Sequence, residues 1–594
     1  MPRLAAQRVQ ALSSFAGRPD RNLSCALGAL ALLAAASAPA VAATPEEAAA
    51  AAKPRACAEV TTEWVGLPNV RIVSAAAAPA ANGEPEACVV SGAANERVGA
   101  DGSHYALGFE LRLPQPWNGR FLDQVNGGND GEIVPATGDP KNMNAVAGKS
   151  ALARGFAVLS GDEGHSGADP AFAAFGLGAG SAFGLDPQAR SDYGYSGDTT
   201  LGSIAKAIIA RFYGVAPARS YMFGCSNGGR HAMVAASRMG GSYDGFVAGD
   251  PGFDLPRAAI QHAWDAQSFL SVDPDIKKSF SVKDMALIAS KVVEICDGLD
   301  GVKDGMVGDI RACQKAFHLA DLQCKGAKDD TCLSETQVKA LTRAFAGPTN
   351  SKGEALYSDW SFDAGMGAHD WRFWKIESGI PPWDGNPLIA TMGAASLSEI
   401  FTTPPTPTRG DPRSLLAFLA HFDFDRDAPK IYAKGTFEVD GKPIDYPESA
   451  WEFMTPPDAD NPKLEALRAA GHKLIVYQGQ SDGVFSFNSI AHWQEKLDAN
   501  ADGKAAEFAR LFAVPGMNHC SGGPATDSFD ALGAIVDWVE KGKAPDAIPA
   551  SVRADNKELP ANWSKSRTRP LCPWPKVARY IGGDVEKAES FACQ

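Results

Sequence analysis

The sequence predicts an α/β fold: a mostly parallel sheet flanked by helices, with a large domain inserted into it. Three observations carry this. Short apolar runs alternate with segments of helical period, first from Cys57 to Gly249 and again from Lys473 to Glu540. The run Tyr221-Met222-Phe223 ends in Gly224-Cys225-Ser226-Asn227-Gly228-Gly229 and leads into a helix-like segment, Arg230 to Met239; strand, tight glycine-flanked turn and helix follow one another. Between the two alternating regions, Leu255 to about Ala470 holds helical pieces, Pro-rich turns such as Thr403-Pro404-Pro405, and Trp264, Trp360, Trp371, Trp374 and Trp383. That stretch is too long for a loop.

Ala43 to Pro54 is Ala-rich and reads as a frayed lead-in. Tyr105 to Leu113 alternates, with Tyr105, Leu107, Phe109, Leu111 and Leu113 on one face, and predicts a half-buried strand. Pro114 to Gly119 is a turn and Arg120 to Val125 a second strand. It ends in Asn126-Gly127-Gly128-Asn129-Asp130-Gly131, which is either a plain hairpin turn or a loop whose backbone N–H groups a ligand approaches closely. Gly155 to Ser160 is a buried strand, and Thr199 to Tyr213 a helix with Asp198 as its N-cap. In the insertion, each Trp is expected in the core rather than a pocket wall, and His421-Phe422-Asp423-Phe424-Asp425 alternates like a surface strand. Lys473 to Tyr477 then runs into Gln478-Gly479-Gln480-Ser481-Asp482-Gly483, and Arg510 to Val514 into Pro515-Gly516-Met517-Asn518-His519-Cys520. Phe529 to Glu540 has helical spacing through Leu532, Ile535, Val536 and Val539.

The 594 residues are 45% hydrophobic and 21% charged, ordinary for a globular protein, with a net charge of −14 that argues against nucleic acid or anionic membrane as a partner. Arg3, Arg8, Arg18 and Arg21 precede an apolar stretch, Cys25 to Ala36, and Ala40-Val41-Ala42 offers a small-x-small cleavage site. This is the pattern of an export signal, too short to anchor in a membrane. The expected division is a signal peptide at 1–42, a catalytic domain in two parts, 43–254 and 471–594, and a lid at 255–470, in a protein that is secreted or periplasmic. A monomer is the expectation for its oligomeric state.

Loss of Cys25 with the signal leaves ten of the 11 cysteines, an even number in an oxidising compartment. Sequence alone leaves their connectivity open. Nearest-neighbour pairing joins Cys57–Cys88, Cys296–Cys313, Cys324–Cys332 and Cys572–Cys593, and leaves Cys225 for Cys520, a closure over 295 positions.

Ser226, Asp482 and His519 each follow a predicted strand, and the order Ser…Asp…His is that of the α/β-hydrolase fold. A serine hydroxyl needs a base to take its proton, and the carboxylate fixes the tautomer of that base. A disulfide holds its Cα atoms about 4.4–6.8 Å apart. If Cys225 pairs with Cys520, the Cα atoms of Ser226 and His519 are no more than roughly 14 Å apart. An oxyanion hole is expected from the N–H of Asn227, directly after the nucleophile, and from a second N–H on the earlier loop, at Gly128.

A second motif lies in the insertion, Cys296-Asp297-Gly298-Leu299-Asp300-Gly301-Val302-Lys303-Asp304-Gly305-Met306. Carboxylates at Asp297, Asp300 and Asp304 and carbonyls at Val302 and Met306 suit a structural Ca²⁺. The alternative is a solvated acidic turn stapled by Cys296–Cys313. His165 and His231 are read as satisfied structural histidines.

Taken together, Gly224-Cys225-Ser226-Asn227-Gly228-Gly229, Ser481-Asp482-Gly483 and Asn518-His519-Cys520 resemble the tannase/feruloyl esterase family, as do the Asp-rich loop and Arg569-Pro570-Leu571-Cys572-Pro573. The resemblance runs over nearly the whole chain after the signal. It implies an extracellular carboxylesterase that cleaves small aromatic acid esters through an acyl-enzyme, with Phe485 as an aromatic wall of the acyl pocket. The family includes tannases, feruloyl esterases and a bacterial hydrolase of mono(2-hydroxyethyl) terephthalate, which Ala248-Gly249-x-Pro251-Gly252 and Met517-Asn518-His519-Cys520-Ser521-Gly522-Gly523-Pro524 resemble in particular. A terephthalate half-ester needs a cation for its free carboxylate, yet no Lys or Arg lies between Ile376 and Thr408. A feruloyl or galloyl ester is therefore the expected substrate. Two other readings stand beside it: a lipase or peptidase with the same triad, and a non-catalytic, calcium-dependent binding protein on a hydrolase scaffold.

Overall fold

The computed structural model describes residues 43–139, 147–439 and 441–594; the signal-peptide reading lies outside them. Nine strands form the central sheet: β1 Val70–Ala78, β2 Glu86–Val98, β3 His104–Gln115, β4 Arg120–Gln124, β5 Ala157–Gly161, β6 Arg219–Cys225, β7 Gly245–Gly249 and, after a hairpin of β8 Gly435–Val439 and β9 Lys442–Tyr446, β10 Lys473–Gly479 and β11 Ala509–Val514. Their order is β1-β2-β3-β5-β4-β6-β7-β10-β11. The first three strands and the β3–β5 pair are antiparallel, and from β5 to β11 every pair is parallel.

The parallel strands are apolar throughout because both faces are covered. On one face Met222, Phe246, Leu474 and Val476 join a core that continues without a break into Trp360, Trp371, Ile389 and Leu397 of the insertion. On the other, Tyr221, Phe223, Val247, Ile475 and Tyr477 pack against Leu532, Ile535 and Trp538 of the helix Ala531–Lys541. In β3 the alternating residues Tyr105 to Leu113 are all buried, as their period of two predicts. The insertion is mostly helical, with Leu255–Leu270, Val282–Cys296, Glu335–Phe345 and Pro412–Ala420 among its helices. Among the described residues no helix is long and apolar enough to cross a membrane.

Three local expectations are corrected. The lead-in is not frayed: Pro45–Ala51 is a helix, closed by a reciprocal capping box between Thr44 and Glu47. Asp198 does not cap the helix Gly197–Tyr213 but lies inside it, buried, with its carboxylate on His231. His421–Asp425 is a turn after the helix Pro412–Ala420, because Asp423 Oδ1 accepts from Asp425 N and Arg426 N, both at 2.9 Å, and so competes with strand pairing.

The four nearest-neighbour disulfides and the remaining Cys225–Cys520 bridge are all formed. Cys225–Cys520 spans 295 positions with its Cα atoms 6.1 Å apart.

Candidate active site

The sheet register brings the candidate residues together. Cys225 of β6 stands beside Gly249 of β7, Gly249 beside Tyr477 of β10, and Gly479 beside Val514 of β11. The loops after β6, β10 and β11 thus leave from one edge, where the carboxyl ends of parallel strands gather a ligand site. Ser226, one residue past β6, has φ 63° and ψ −124°, a strained conformation for any residue but glycine. Its N–H donates to Gly249 O at 2.9 Å. A Cβ at Gly224 would sit 2.5 Å from Val125 O, and one at Gly228 only 2.4 Å from it, so neither flank of the serine tolerates a side chain.

His519 Nδ1 lies 2.9 Å from Asp482 Oδ2, and Nε2 lies 2.7 Å from Ser226 Oγ. Asp482 is fully oriented: Oδ1 accepts from Val484 N at 2.7 Å and Phe485 N at 3.1 Å, and Oδ2 also accepts from Gln478 Nε2 at 2.7 Å. With Nδ1–H donating to Asp482, Nε2 is left to accept the serine proton. Asn518 Nδ2 donates to Ser481 O and Gly365 O, both at 3.0 Å, and so joins the two loops to the insertion.

A cavity of about 240 Å³ opens above Ser226. Gly127 and Gly128 line one side, and Trp374, Leu388 and Met392 of the insertion roof it. Gly128 has φ 69°, and a Cβ built there points toward Met392 Sδ at 4.0 Å. The Trp374 ring stands edge-on to His519 at 4.9 Å. This is the aromatic wall that sequence reasoning had favoured as core; Trp374 is both, for it also packs into the apolar core. Phe485 is buried edge-on to His519 at 5.4 Å, under Gly252, and is not among the residues that line the cavity.

Two further carboxyl groups adjoin the site, and sequence reasoning missed both. Asp250 is wholly buried with φ 36°, and its Oδ1 accepts from Gly479 N at 2.8 Å. Burial, with the charge of Asp482 adding to it, pushes its pKa well above the usual carboxylate range. Its only sequence signal is its place directly after a strand. Asp370 Oδ2 accepts from His519 N at 3.3 Å, and burial pushes its pKa up to about 7 against the opposing pull of His519.

Asp297, Asp300 and Asp304 are buried on their loop, stapled by Cys296–Cys313. Asp297 Oδ1 accepts from Asp304 N at 2.8 Å and Gly305 N at 2.9 Å, and Asp304 pairs with Arg569. Burial, with Asp304 and Asp297 nearby, pushes the Asp300 pKa up to about 7. Asp300 Oδ1 and Asp304 Oδ1 likewise accept from Val302 N and Met306 N, at 3.2 and 3.1 Å, so the loop gathers carboxylates, the oxygen ligands a hard cation takes, with several of those oxygens already engaged by backbone N–H groups. His165 is a buried histidine satisfied at one nitrogen only: Nε2 meets Asn129 O at 2.8 Å, Nδ1 has no hydrogen-bond partner among the described residues, the ring stacks on Phe183, and burial lowers its pKa to about 4.

A family model described as tannase and feruloyl esterase matches residues 88–594. The mono(2-hydroxyethyl) terephthalate hydrolase of Piscinibacter sakaiensis is 42% identical over 545 residues, covering 86% of this chain and 85% of that protein. Among solved structures, feruloyl esterase B from Aspergillus oryzae aligns with a TM-score of 0.68 at 20% identity, over 89% of this chain and 97% of that one. Tannin acyl hydrolase from Aspergillus niger aligns with a TM-score of 0.60 at 18% identity, over 93% and 94%. At such identities these two speak to the fold alone, and it is the α/β-hydrolase fold.

Proposed function

We propose, from the premise that this chain belongs to the tannase and feruloyl esterase family, that it is an exported serine esterase acting on esters of small aromatic carboxylic acids through an acyl-enzyme. Family membership makes it a carboxylic ester hydrolase. The finer reading rests on one observation, the unbroken line Ser226 Oγ, His519, Asp482 with contacts of 2.7 and 2.9 Å. Ser226 Oγ attacks the ester carbonyl as His519 Nε2 takes its proton, and Asp482 stabilises the imidazolium. The N–H groups of Asn227 and Gly128 receive the oxyanion. His519 returns the proton to the departing alcohol, and water, activated by the same nitrogen, releases the acid. The five disulfides and the N-terminal pattern support export.

The cavity argues for the substrate class. At about 240 Å³ it is smaller than the roughly 300–1,000 Å³ of sites for drug-sized ligands, which suits one aromatic ring better than a long acyl chain. Glu132 lines it, and no Lys or Arg does among the described residues. A free carboxylate on the acyl group would find no cation there. Neutral feruloyl and galloyl esters are therefore favoured. The second reading, a mono(2-hydroxyethyl) terephthalate hydrolase, is favoured by the 42% identity to an enzyme of that name. Turnover of methyl ferulate, ethyl gallate and the terephthalate monoester by the purified mature protein decides between them. Higher kcat/KM on the monoester would replace the first reading with the second.

The Asp-rich loop would hold a structural Ca²⁺ through Asp297, Asp300 and Asp304 and the carbonyls of Val302 and Met306. The ion would neutralise carboxylates that Arg569 alone does not balance.

A further inference from the structure

Behind the oxyanion loop lies a fully buried cluster of charged side chains. Asp130 of the loop accepts from Asn227 Nδ2 at 2.7 Å through Oδ2, and the same oxygen lies 3.0 Å from His231 Nε2. His231 follows Asn227 by one helical turn, and its Nδ1 lies 2.7 Å from Asp198 Oδ2. The side chains of His231 and Asp130 are 0% exposed and that of Asp198 2%. Arg230 Nε donates to Asn227 Oδ1 at 2.5 Å, and its Nη atoms donate to Gly194 O and Tyr193 O, both at 2.8 Å. Arg230 Nη2 also lies 2.8 Å from His231 Nε2. Tyr193 Oη in turn reaches Gly128 O at 3.5 Å.

Every link in this cluster ends on one of the two segments expected to donate to the oxyanion. Asn227 carries one donor, and Gly128 stands two residues before Asp130. We infer that His231 and Asp130 are positioning residues of the oxyanion hole, clamping the loop Asn126–Gly131 to the first turn of the helix after Ser226. The His231 ring bridges the carboxylates of Asp130 and Asp198; burial and Arg230 pull its pKa down, Asp198 and Asp130 pull it up, and the net shift is upward. This bridge sets the geometry of the loop against the helix. Asp130 Oδ1, Asp198 Oδ1 and Glu163 Oε2 are buried without a hydrogen-bond partner, which a chain selected for stability alone would avoid.

This inference rests on the ester-hydrolase reading of Ser226, and its test keeps the two apart. Asp130→Ala and His231→Gln are compared with wild type for kcat and KM on an aromatic ester. The Ki of an aryl boronic acid, which forms a tetrahedral adduct with Ser226, is compared with that of the matching aryl carboxylic acid, which does not. A donor misplaced by about 1 Å costs roughly a hundredfold. The expected result is a fall in kcat of about ten- to a hundredfold, a matching rise in boronate Ki, and KM and carboxylate Ki close to wild type. Asp130→Asn, which keeps an acceptor for Asn227, should recover part of the loss. Folded variants with wild-type kcat and boronate affinity would overturn the inference, as would equal losses for both inhibitors. If neither variant folds, the cluster serves stability and the inference is overturned. A wild-type protein that neither turns over the esters nor loses boronate binding on Ser226→Ala would overturn the ester reading itself, and this inference with it.

Discussion

Removing the Cys225–Cys520 disulfide by a Cys225→Ala, Cys520→Ala double substitution tests how nucleophile and base are held together. Ser226 and His519 are the chain neighbours of the two cysteines, so the bridge is the shortest covalent route between them. It closes 295 positions, against 8 to 31 for the other four bridges. The loop-entropy relation gives such a closure about 5–6 kcal/mol at most, and measured losses are nearer 2–5 kcal/mol. Cys520 adds a local effect. Its φ of 64° is left-handed, a conformation that costs a non-glycine residue about 1–3 kcal/mol. Freed from Cys225, that backbone can relax and carry His519 with it. A shift of about 1 Å in the 2.7 Å Ser–His contact is enough for a hundredfold loss. Urea unfolding followed by Trp fluorescence should show the stability loss, and kcat/KM on an aromatic ester should fall by about a hundredfold. Removing Cys324–Cys332 instead should leave kcat/KM unchanged. A folded Cys225/Cys520 double variant with wild-type kcat/KM would show that packing alone aligns the pair, and the covalent argument would fail.

Ser226→Ala should cut kcat by about 10⁶-fold with an unchanged melting temperature; substantial residual turnover would reject the nucleophile. Burial and the charge of Asp482 push the Asp250 pKa well above the usual carboxylate range, so Asp250→Asn, which keeps an acceptor for Gly479 N–H, should be tolerated, whereas Asp250→Leu strands that N–H at about 1–3 kcal/mol; equal damage in melting temperature and kcat/KM from both would refute this reading. Burial pushes the Asp370 pKa up to about 7, so it ionises as pH rises through neutrality, and its carboxylate then stands beside His519. Asp370→Asn should therefore move the acidic limb of the kcat/KM profile to lower pH by up to about one unit, and an upward move would contradict the sign. Chelation of calcium should lower the melting temperature, by the equivalent of about 2.7 kcal/mol if the ion normally stands at a hundred times its Kd. A melting curve indifferent to both chelator and added calcium would remove the metal.

The fold and the meeting of Ser226, His519 and Asp482 were legible because both follow from local patterns. Apolar runs of strand length, helical spacing, and a Ser, Asp or His just past a strand are all properties of a few adjacent residues. What was not legible needs a neighbour from another strand. Asp250 is one residue past β7, yet only the alignment of β7 with β6 and β10 sets it against Asp482 and beside Cys225. Asp198 and His231 carry residue types that are mostly exposed or capping, so a local reading made a cap of one and a lone structural ring of the other; their meaning came from each other. Trp374 was assigned to the core for the same reason, since its type says core and only its contact with His519 says pocket.

That division bears on specificity. The residues proposed to carry the hydrolysis, Ser226, Asp482 and His519, sit on loops at adjoining strand ends, and a motif can report them. On the proposed function, the acyl group would be chosen from the insertion, where Trp374, Leu388 and Met392 reach the cavity from separate elements. Sequence identity of 42% to one relative is spread over 545 residues, whereas the choice between a neutral and an anionic acyl group would turn on a few contacts inside about 240 Å³. With Glu132 lining that space and no Lys or Arg lining it among the described residues, the local charge bears on the substrate more directly than the overall identity does, and it favours a neutral aromatic ester.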